Sequence, residues 1–429
     1  MVRGDTVKRL VVIGQGYVGL PMALRAAETG LEVVGLDTKA DVVSALNAGR
    51  SHIDDISDEE LQVGLKAGYR ATTDASCIAE ADVVVVCVPT PLSADGGPDL
   101  RPVESAARTI GAHVSADTLV ILESTTYPGT TEEVFAPLVL ASGLQLGRDV
   151  RIAFSPERVD PGNPTFGVKN TPKVVGGLTP ECTRAAHEFY ESFIDTVMDA
   201  AGAKEAEMAK LIENTFRHVN IALVNEMVRF SHELGIDLWD AIDCAETKPF
   251  GYMAFRPGPG VGGHCIPIDP SYLSHRVKAK LGYAFRMVEL AEEINTAAPL
   301  YVATRLWEAL NEHKVAMNGA KILLLGVSYK ADISDTRESP AYPLADRLLT
   351  WGSDISYHDP FVPQWTLSDH SANATFTSVD DVYGAAGEAD AVVLLQAHSS
   401  YDIDRLARSS KLFFDTRGKA AVTETSRRL

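Results

Sequence analysis

An apolar run at residues 9–14 ends in Gly14-Gln15-Gly16-Tyr17-Val18-Gly19, and a helix-length stretch, residues 18–29, follows at once. A strand that stops on glycines and feeds straight into a helix admits few folds. The glycines permit a tight turn and bring bare backbone up to a ligand, and the helix N-terminus behind them favours an anion such as a pyrophosphate. Three more apolar runs, at 32–37, 82–88 and 118–123, are unbroken rather than alternating. That is the pattern of strands covered on both faces of a parallel sheet. Helix-length segments such as 100–113 lie between them, so the region reads as repeated βα units of a doubly wound α/β domain. Asp37 closes the second strand about 20 residues past the glycines, where a carboxylate meets the adenosine ribose. An acid there repels a 2′-phosphate, so the pattern predicts NAD as the cofactor rather than NADP.

The last third repeats this logic. Residues 321–326 echo 8–14, the run 354–357 leads to Asp359 as the earlier one leads to Asp37, and Glu388-Ala389-Asp390 before 392–395 echoes Glu80-Ala81-Asp82 before 83–86. Residues 411–415 supply a further strand. The middle differs: residues 203–234 run with few breakers and place Met208, Leu211, Ile212, Phe216 and Val219 at helical spacing. This predicts one long helix with more helices after it. A chain of 429 residues is too long for a single ordinary domain. The expected architecture is two Rossmann-like doubly wound domains, 1–200 and 313–429, joined by a central helical domain, 201–312.

Composition narrows the partners. Against 58 Asp+Glu stand 39 Lys+Arg, a net charge of −19 that argues against nucleic acid and anionic membrane surfaces. One anionic ligand held by a few local cations remains compatible with it. No run reaches the roughly 18 uncharged apolar residues that span a bilayer. The charged residues before position 9 and the glycines after it read as a first strand, not a signal peptide. The five cysteines, at 77, 87, 182, 244 and 265, form no CxxC pair and no zinc spacing, which implies no metal site and a reducing cytoplasm.

A Gly/Pro-rich segment, residues 249–270, interrupts the helical region, and a structureless stretch of that length is usually functional. Within it, Gly258-Pro259-Gly260-Val261-Gly262-Gly263-His264-Cys265 brings a cysteine to backbone dense in glycine, with Asp269 four residues on. A cysteine beside a nicotinamide can attack an aldehyde, and the resulting thiohemiacetal can give up a second hydride to become a thioester. The bland alternative is a small buried hydrophobe. Cys77, Cys87, Cys182 and Cys244 fit that alternative and Cys265 does not. His264 reads equally as a base or as a residue that fills the turn. Lys210 and Asn214 lie one helical turn apart on one face, which alone is no more than a pair of solvated side chains. Ser155-Pro156-Glu157-Arg158 is a polar loop after a strand. Tyr329-Lys330, Asp335-Thr336-Arg337-Glu338 and Arg417 follow strands of the last domain, where open α/β sheets bind ligands. They read as diphosphate contacts or as surface salt bridges.

Taken together, these residues resemble the UDP-glucose/GDP-mannose dehydrogenase family over essentially the whole length. The resemblance is carried by Gly14–Gly19, by Glu207, Lys210 and Asn214 as Glu-x-x-Lys-x-x-x-Asn, by Gly-Gly-x-Cys with Asp269, and by Lys330 with Asp-Thr-Arg-Glu. It implies an N-terminal NAD domain, a helical core for catalysis and dimerisation, and a C-terminal domain that grips UDP. The implied reaction is two successive oxidations of a sugar 6-hydroxymethyl group to a carboxylate. By motif, Cys265 is the implied nucleophile, Lys210 the oxyanion stabiliser, and Asn214 and Asp269 the groups that handle the attacking water, with Thr125 and Glu157 assisting. Gly14, Gly16, Tyr17, Val18, Gly19, Asp37, Thr90, Thr125 and Arg337 match cofactor positions. Glu157, Arg158, Lys210, Asn214, Arg256, Gly262, Tyr329, Lys330 and Arg417 match substrate positions.

The UDP-glucose branch commonly carries a lysine where this chain has Ile268. The strings Lys248-Pro249-Phe250-Gly251, Ser155–Asn163 and His264–Pro270 look more like UDP-N-acetylglucosamine 6-dehydrogenases. UDP-N-acetylglucosamine is therefore the expected substrate. UDP-glucose, UDP-N-acetylgalactosamine and N-acetylmannosamine dehydrogenases are the alternatives. Phe250-Gly251-Tyr252-Met253 lacks the arginine that some relatives supply from the neighbouring subunit. A catalytically silent NAD-binding relative has little reason to keep Lys210, Asn214, Cys265 and Asp269 together. A two-electron dehydrogenase of hydroxy acids has no need of the cysteine. A homodimer or higher homo-oligomer is expected.

Overall fold

The computed structural model describes residues 9–429 apart from 55, 94–96, 159, 161–162, 164, 264–265 and 368–373. The chain divides into two compact units: Met1–Glu213 with Ser271–Tyr283, and Asn214–Pro270 with Ala284–Leu429.

The first unit is built on an eight-stranded sheet of order β3-β2-β1-β4-β5-β6-β7-β8. Its strands are β1 (Arg9–Ile13), β2 (Glu32–Leu36), β3 (Tyr69–Thr72), β4 (Val83–Val86), β5 (Thr118–Leu122), β6 (Val150–Phe154), β7 (Lys173–Gly177) and β8 (Val197–Asp199). The pairs from β3 through β6 are parallel, while β7 runs antiparallel to β6. Alternate residues serve opposite cores: Leu10, Val12, Val83, Val85, Leu119 and Ile121 pack on one face, and Val11, Ile13, Val84, Val86, Val120 and Leu122 on the other. Burial of both faces is why these strands have no polar positions to alternate with. Each such side chain contributes roughly 2 kcal/mol of burial free energy. The helix Gly19–Glu28 lays Leu20, Ala23, Leu24 and Ala27 on the sheet at helical spacing. The strand order reverses at β1/β4, the position where such sheets bind ligands beyond their strand ends.

The second unit carries a parallel five-stranded sheet of order β10-β9-β13-β14-β15: β9 (Lys321–Leu325), β10 (Asp354–His358), β13 (Ala391–Leu394), β14 (Phe413–Asp415) and β15 (Ser426–Arg428). A two-stranded ribbon, β11 (Gln364–Leu367) with β12 (Ala374–Thr377), is inserted after β10. Here too Ile322 and Leu324 face one core while Leu323 and Leu325 face another.

The predicted long helix spans Ala203–Glu233. Its polarity is inverted along part of its length. Glu207, Lys210, Asn214, His218 and Asn225 are buried, whereas Ile212, Phe216, Leu223 and Phe230 are 46–56% exposed. Residues 249–263 form neither helix nor strand, and the helix Asp269–Leu281 follows. One expectation fails at Cys244, which is exposed rather than buried. The helix Leu238–Glu246 turns Leu238, Trp239 and Ile242 inward, and Cys244 falls outside that stripe.

Candidate active site

In the first unit the three glycines after β1 do three different things. Gly14 takes φ +92°, and a Cβ there would lie 2.6 Å from the Cys87 carbonyl oxygen. At Gly19 a Cβ would come within 1.9 Å of the Gly14 carbonyl oxygen, so the helix can start this close to β1 only without a side chain. In front of Gly16 a Cβ would meet nothing within 4 Å. That open space beside a helix N-terminus fits a pyrophosphate. Tyr17 and Val18 form the turn between, and the helix begins at Gly19. Asp37, just past β2, accepts from the Gln15 amide and from the Lys39 amide, each at 3.0 Å. Gln15 itself is buried, donating to the Val12 carbonyl and accepting from Tyr69 Oη at 2.8 Å. The residues present therefore fit NAD.

The other positions of this unit sit past the carboxyl ends of neighbouring strands: Thr90 after β4, Thr125 after β5, Glu157 and Arg158 after β6. Thr90 is buried and its carbonyl accepts from Tyr272 Oη. Ser124, beside Thr125, donates its hydroxyl to the Val88 carbonyl at 2.7 Å. Lys210, 7% exposed, donates through Nζ to the Glu157 carbonyl at 2.6 Å and lies 3.8 Å from the Glu157 carboxylate. Burial of that ammonium is what a solvated helix face would not show. Arg158 is held by Glu213 at 2.8 Å and by the Pro172 carbonyl. Glu207 is fully buried and acts as a buckle: its carboxylate accepts from the Gly129 and Thr131 amides and the Thr131 hydroxyl at 2.6–2.9 Å.

A buried set here was not anticipated. Glu123, 2% exposed, accepts from Tyr190 Oη and lies 2.8 Å from Lys173 Nζ. Burial, with Glu123 next to it, holds the Tyr190 hydroxyl far above the ordinary phenol range, so it stays a donor. The same two causes raise the Cys87 thiol. The available signal was a carboxylate ending an apolar strand directly before Ser124-Thr125.

In the second unit Asn214 Nδ2 donates to Asp269 Oδ2 at 2.5 Å, and the two residues are 7% and 2% exposed. Asp269 opens its helix, four residues beyond Cys265 in sequence. Cys265 and His264 lie outside the described residues. The glycine segment before them is fastened at several points. The Gly258 amide donates to Asn225 Oδ1 at 3.0 Å, and Asn225 Nδ2 in turn donates to Asn295 Oδ1 at 3.0 Å. The Gly263 amide donates to the Arg337 carbonyl at 3.0 Å. A Cβ on Gly262 or Gly263 would run into Tyr329 at 2.7–2.8 Å, and one on Gly258 would lie 2.9 Å from Arg417 Nη1. Close approach, not turn geometry alone, thus explains the density of glycine. Sequence reasoning missed Asn225 and Asn295, because a polar residue within a helix does not announce a buried partner.

Of the strand-end residues of this unit, Tyr329, Arg337 and Arg417 adjoin that segment. Tyr329 and Lys330 follow β9 and are half-buried. The Arg417 side chain donates to the Leu395 carbonyl, and burial, partly offset by Asp415, brings its pKa down to about 10, which leaves it cationic at neutral pH. Arg337 forms a two-pronged pair with Asp335 at 2.6–3.0 Å. Arg256 is exposed and engages Asp243 and Glu246 at 2.5 and 3.0 Å. Among the described residues no group of His, Cys, Asp and Glu is arranged to hold a metal ion.

Residues 8–194 match the NAD binding domain of the UDP-glucose/GDP-mannose dehydrogenase family, 204–297 its central domain and 323–421 its UDP binding domain. The chain therefore belongs to that family, whose members are NAD-dependent nucleotide-sugar dehydrogenases. It is 36% identical over 395 residues to a UDP-N-acetyl-D-mannosamine dehydrogenase of Pyrococcus horikoshii, covering 92% of this chain and 90% of the relative. To a UDP-N-acetyl-D-glucosamine 6-dehydrogenase of Pseudomonas aeruginosa it is 32% identical, covering 95% and 96%. The solved structure of a UDP-D-ManNAc dehydrogenase from Pyrococcus horikoshii superposes with a TM-score of 0.87 at 33% identity, covering 98% of each chain. NAD is the cofactor and a UDP-sugar the substrate class.

Proposed function

We propose that the chain oxidises the 6-hydroxymethyl group of UDP-N-acetylglucosamine to a carboxylate in two NAD-dependent steps with Cys265 as a covalent tether. The glycine cradle at Gly14–Gly19 with Asp37 would hold NAD, which would supply the hydride acceptor for both steps. In the first step the hydroxyl loses a proton and its carbon a hydride, giving an aldehyde. The Cys265 thiolate adds to the aldehyde carbon to form a thiohemiacetal, whose hydride leaves in the second step to give a thioester. Water cleaves the thioester, returning the thiol and releasing the carboxylate. One sugar alcohol, two NAD⁺ and one water thus give one carboxylate, two NADH and three protons.

The observation that carries this reading is the buried Asn214–Asp269 pair. A carboxylate held this way, four residues past Cys265 in the sequence, suits activation of a water, which thioester cleavage needs and a simple alcohol dehydrogenase does not. In this reading Lys210, one turn away, stabilises the oxyanion of each tetrahedral intermediate, and Thr125 and Glu157 assist. Arg158, Arg256, Gly262, Tyr329, Lys330 and Arg417 hold the UDP-sugar, and Arg337 reaches the cofactor. The domain limits 1–200, 201–312 and 313–429 belong to the same proposal, as does a cytoplasmic setting, which the four unpaired described cysteines support.

Cys265→Ser tests the tether: it should abolish steady-state carboxylate formation while NAD binding persists, and near-normal turnover would refute the covalent route. The Pyrococcus relative favours the manno epimer as a second reading of the sugar.

A further inference from the structure

The loop after β9 carries Tyr329 and Lys330 and then turns on Asp332, a non-glycine residue with φ +64°. A left-handed conformation at such a residue is held by its surroundings. Its surroundings here are His398, which follows β13. The Asp332 amide donates to His398 Nδ1 at 2.9 Å, and the Ser399 amide donates to Asp332 Oδ1 at 2.7 Å. With Nδ1 an acceptor, the other ring nitrogen carries the proton, and it faces Asp359 Oδ2 at 3.1 Å. Asp359 directly follows β10 and also accepts from the Val327 and Ser328 amides at 2.8 and 3.2 Å. The His398 and Asp359 side chains are fully buried. Burial works against the Asp359 charge, but the His398 hydrogen bond and those from the Phe361 and Val327 amides outweigh it and keep its carboxyl below the usual range. Phe361 and Tyr401 flank the imidazole, at 5.2 and 5.4 Å between ring centres.

We propose that Asp359 and His398 are positioning residues: together they grip both ends of the 327–332 loop and so fix Tyr329 and Lys330 for the uridine diphosphate of the substrate. Asp359 holds the loop's start through Val327 and Ser328, and His398 holds its end through Asp332. No other job is evident for a buried imidazole with both nitrogens engaged, because an apolar side chain would fill the same core with no desolvation cost. The inference rests on the reading of Tyr329 and Lys330 as diphosphate contacts.

The test is UDP and NAD affinity of the full-length protein, by calorimetry, in His398→Ala, His398→Asn and Lys330→Ala. His398→Ala should weaken UDP binding roughly tenfold, the scale of one lost buried hydrogen bond, and raise the KM for the UDP-sugar with NAD affinity unchanged. His398→Asn places an acceptor where Nδ1 sits and should recover part of the loss, which a role confined to core packing does not predict. Should His398→Ala fail to fold, Asp332→Gly keeps the left-handed backbone while removing the carboxylate that Ser399 engages, and it should weaken UDP binding in the same selective way. Wild-type UDP affinity in folded His398 and Asp332 variants, with Lys330→Ala impaired, would overturn the positioning role and leave the loop as the diphosphate site. Wild-type affinity in Lys330→Ala as well would overturn the reading of the loop itself.

Discussion

His218 shows what a buried side chain on the long helix costs when it titrates. It is 1% exposed, and Asn295 donates to its backbone carbonyl at 3.2 Å. Nε2 makes no hydrogen bond and lies 3.4 Å from a Glu292 carboxylate oxygen. Burial lowers its pKa to about 4 from an ordinary 6.5. The unfolded chain therefore takes up a proton near pH 6.5 that the folded chain refuses until about pH 4. Stability contributed by neutral His218 is complete above that window and is lost as pH falls through it, by up to about 3 kcal/mol. Denaturant melts of wild type and His218→Asn between pH 7 and pH 4 should converge or cross as pH falls. A constant gap would contradict the assignment. The sequence showed this histidine only as one more residue of a helix. Its burial depends on helix Arg286–Glu312, whose Asn295 is 77 positions away, and no local pattern encodes that. By contrast Lys210, Asn214 and Asp269, all buried, were singled out by the family motif, although the spacing of Lys210 and Asn214 alone did not set them apart from a solvated helix face.

Among elements, the strands were the most legible. β1, β2, β4, β5 and β9 are buried on both faces, so each announces itself as an unbroken apolar run. The edge strands β8 and β15 and the β11–β12 ribbon are short and partly polar, and the antiparallel turn of β7 is a matter of pairing, so these were not foreseen. The long helix was foreseen, but not that Ile212, Phe216, Leu223 and Phe230 point outward from it. Single exposed apolar residues are ordinary, yet four along one helix form a face that calls for a cover. We propose that a second copy of the chain covers it, in line with the expected homodimer or higher homo-oligomer. Phe216→Glu with Leu223→Glu should convert the assembly to monomers in light scattering, with the far-ultraviolet spectrum retained. An unchanged mass would remove this face from the interface.

At the scale of the molecule, the two sheets divide the work in a way their sequences half disclosed. Both place an acid at the end of the second strand, Asp37 and Asp359, and in both it accepts from the amides that follow the first strand. After β1 the glycines leave room in front of Gly16. After β9 only Gly326 remains, and the imidazole of His398 closes on the acid. On the proposal made for Asp359 and His398, the same fold offers a dinucleotide cradle once and a braced ligand loop once. Whether the cysteine tether couples two oxidations of one sugar is decided by counting the NADH formed per UDP-N-acetylglucosamine consumed, with UDP-N-acetylmannosamine and UDP-glucose in parallel. A tethered intermediate gives two NADH per sugar, fastest with the gluco 2-acetamido substrate. One NADH per sugar, with free aldehyde in solution, would contradict it.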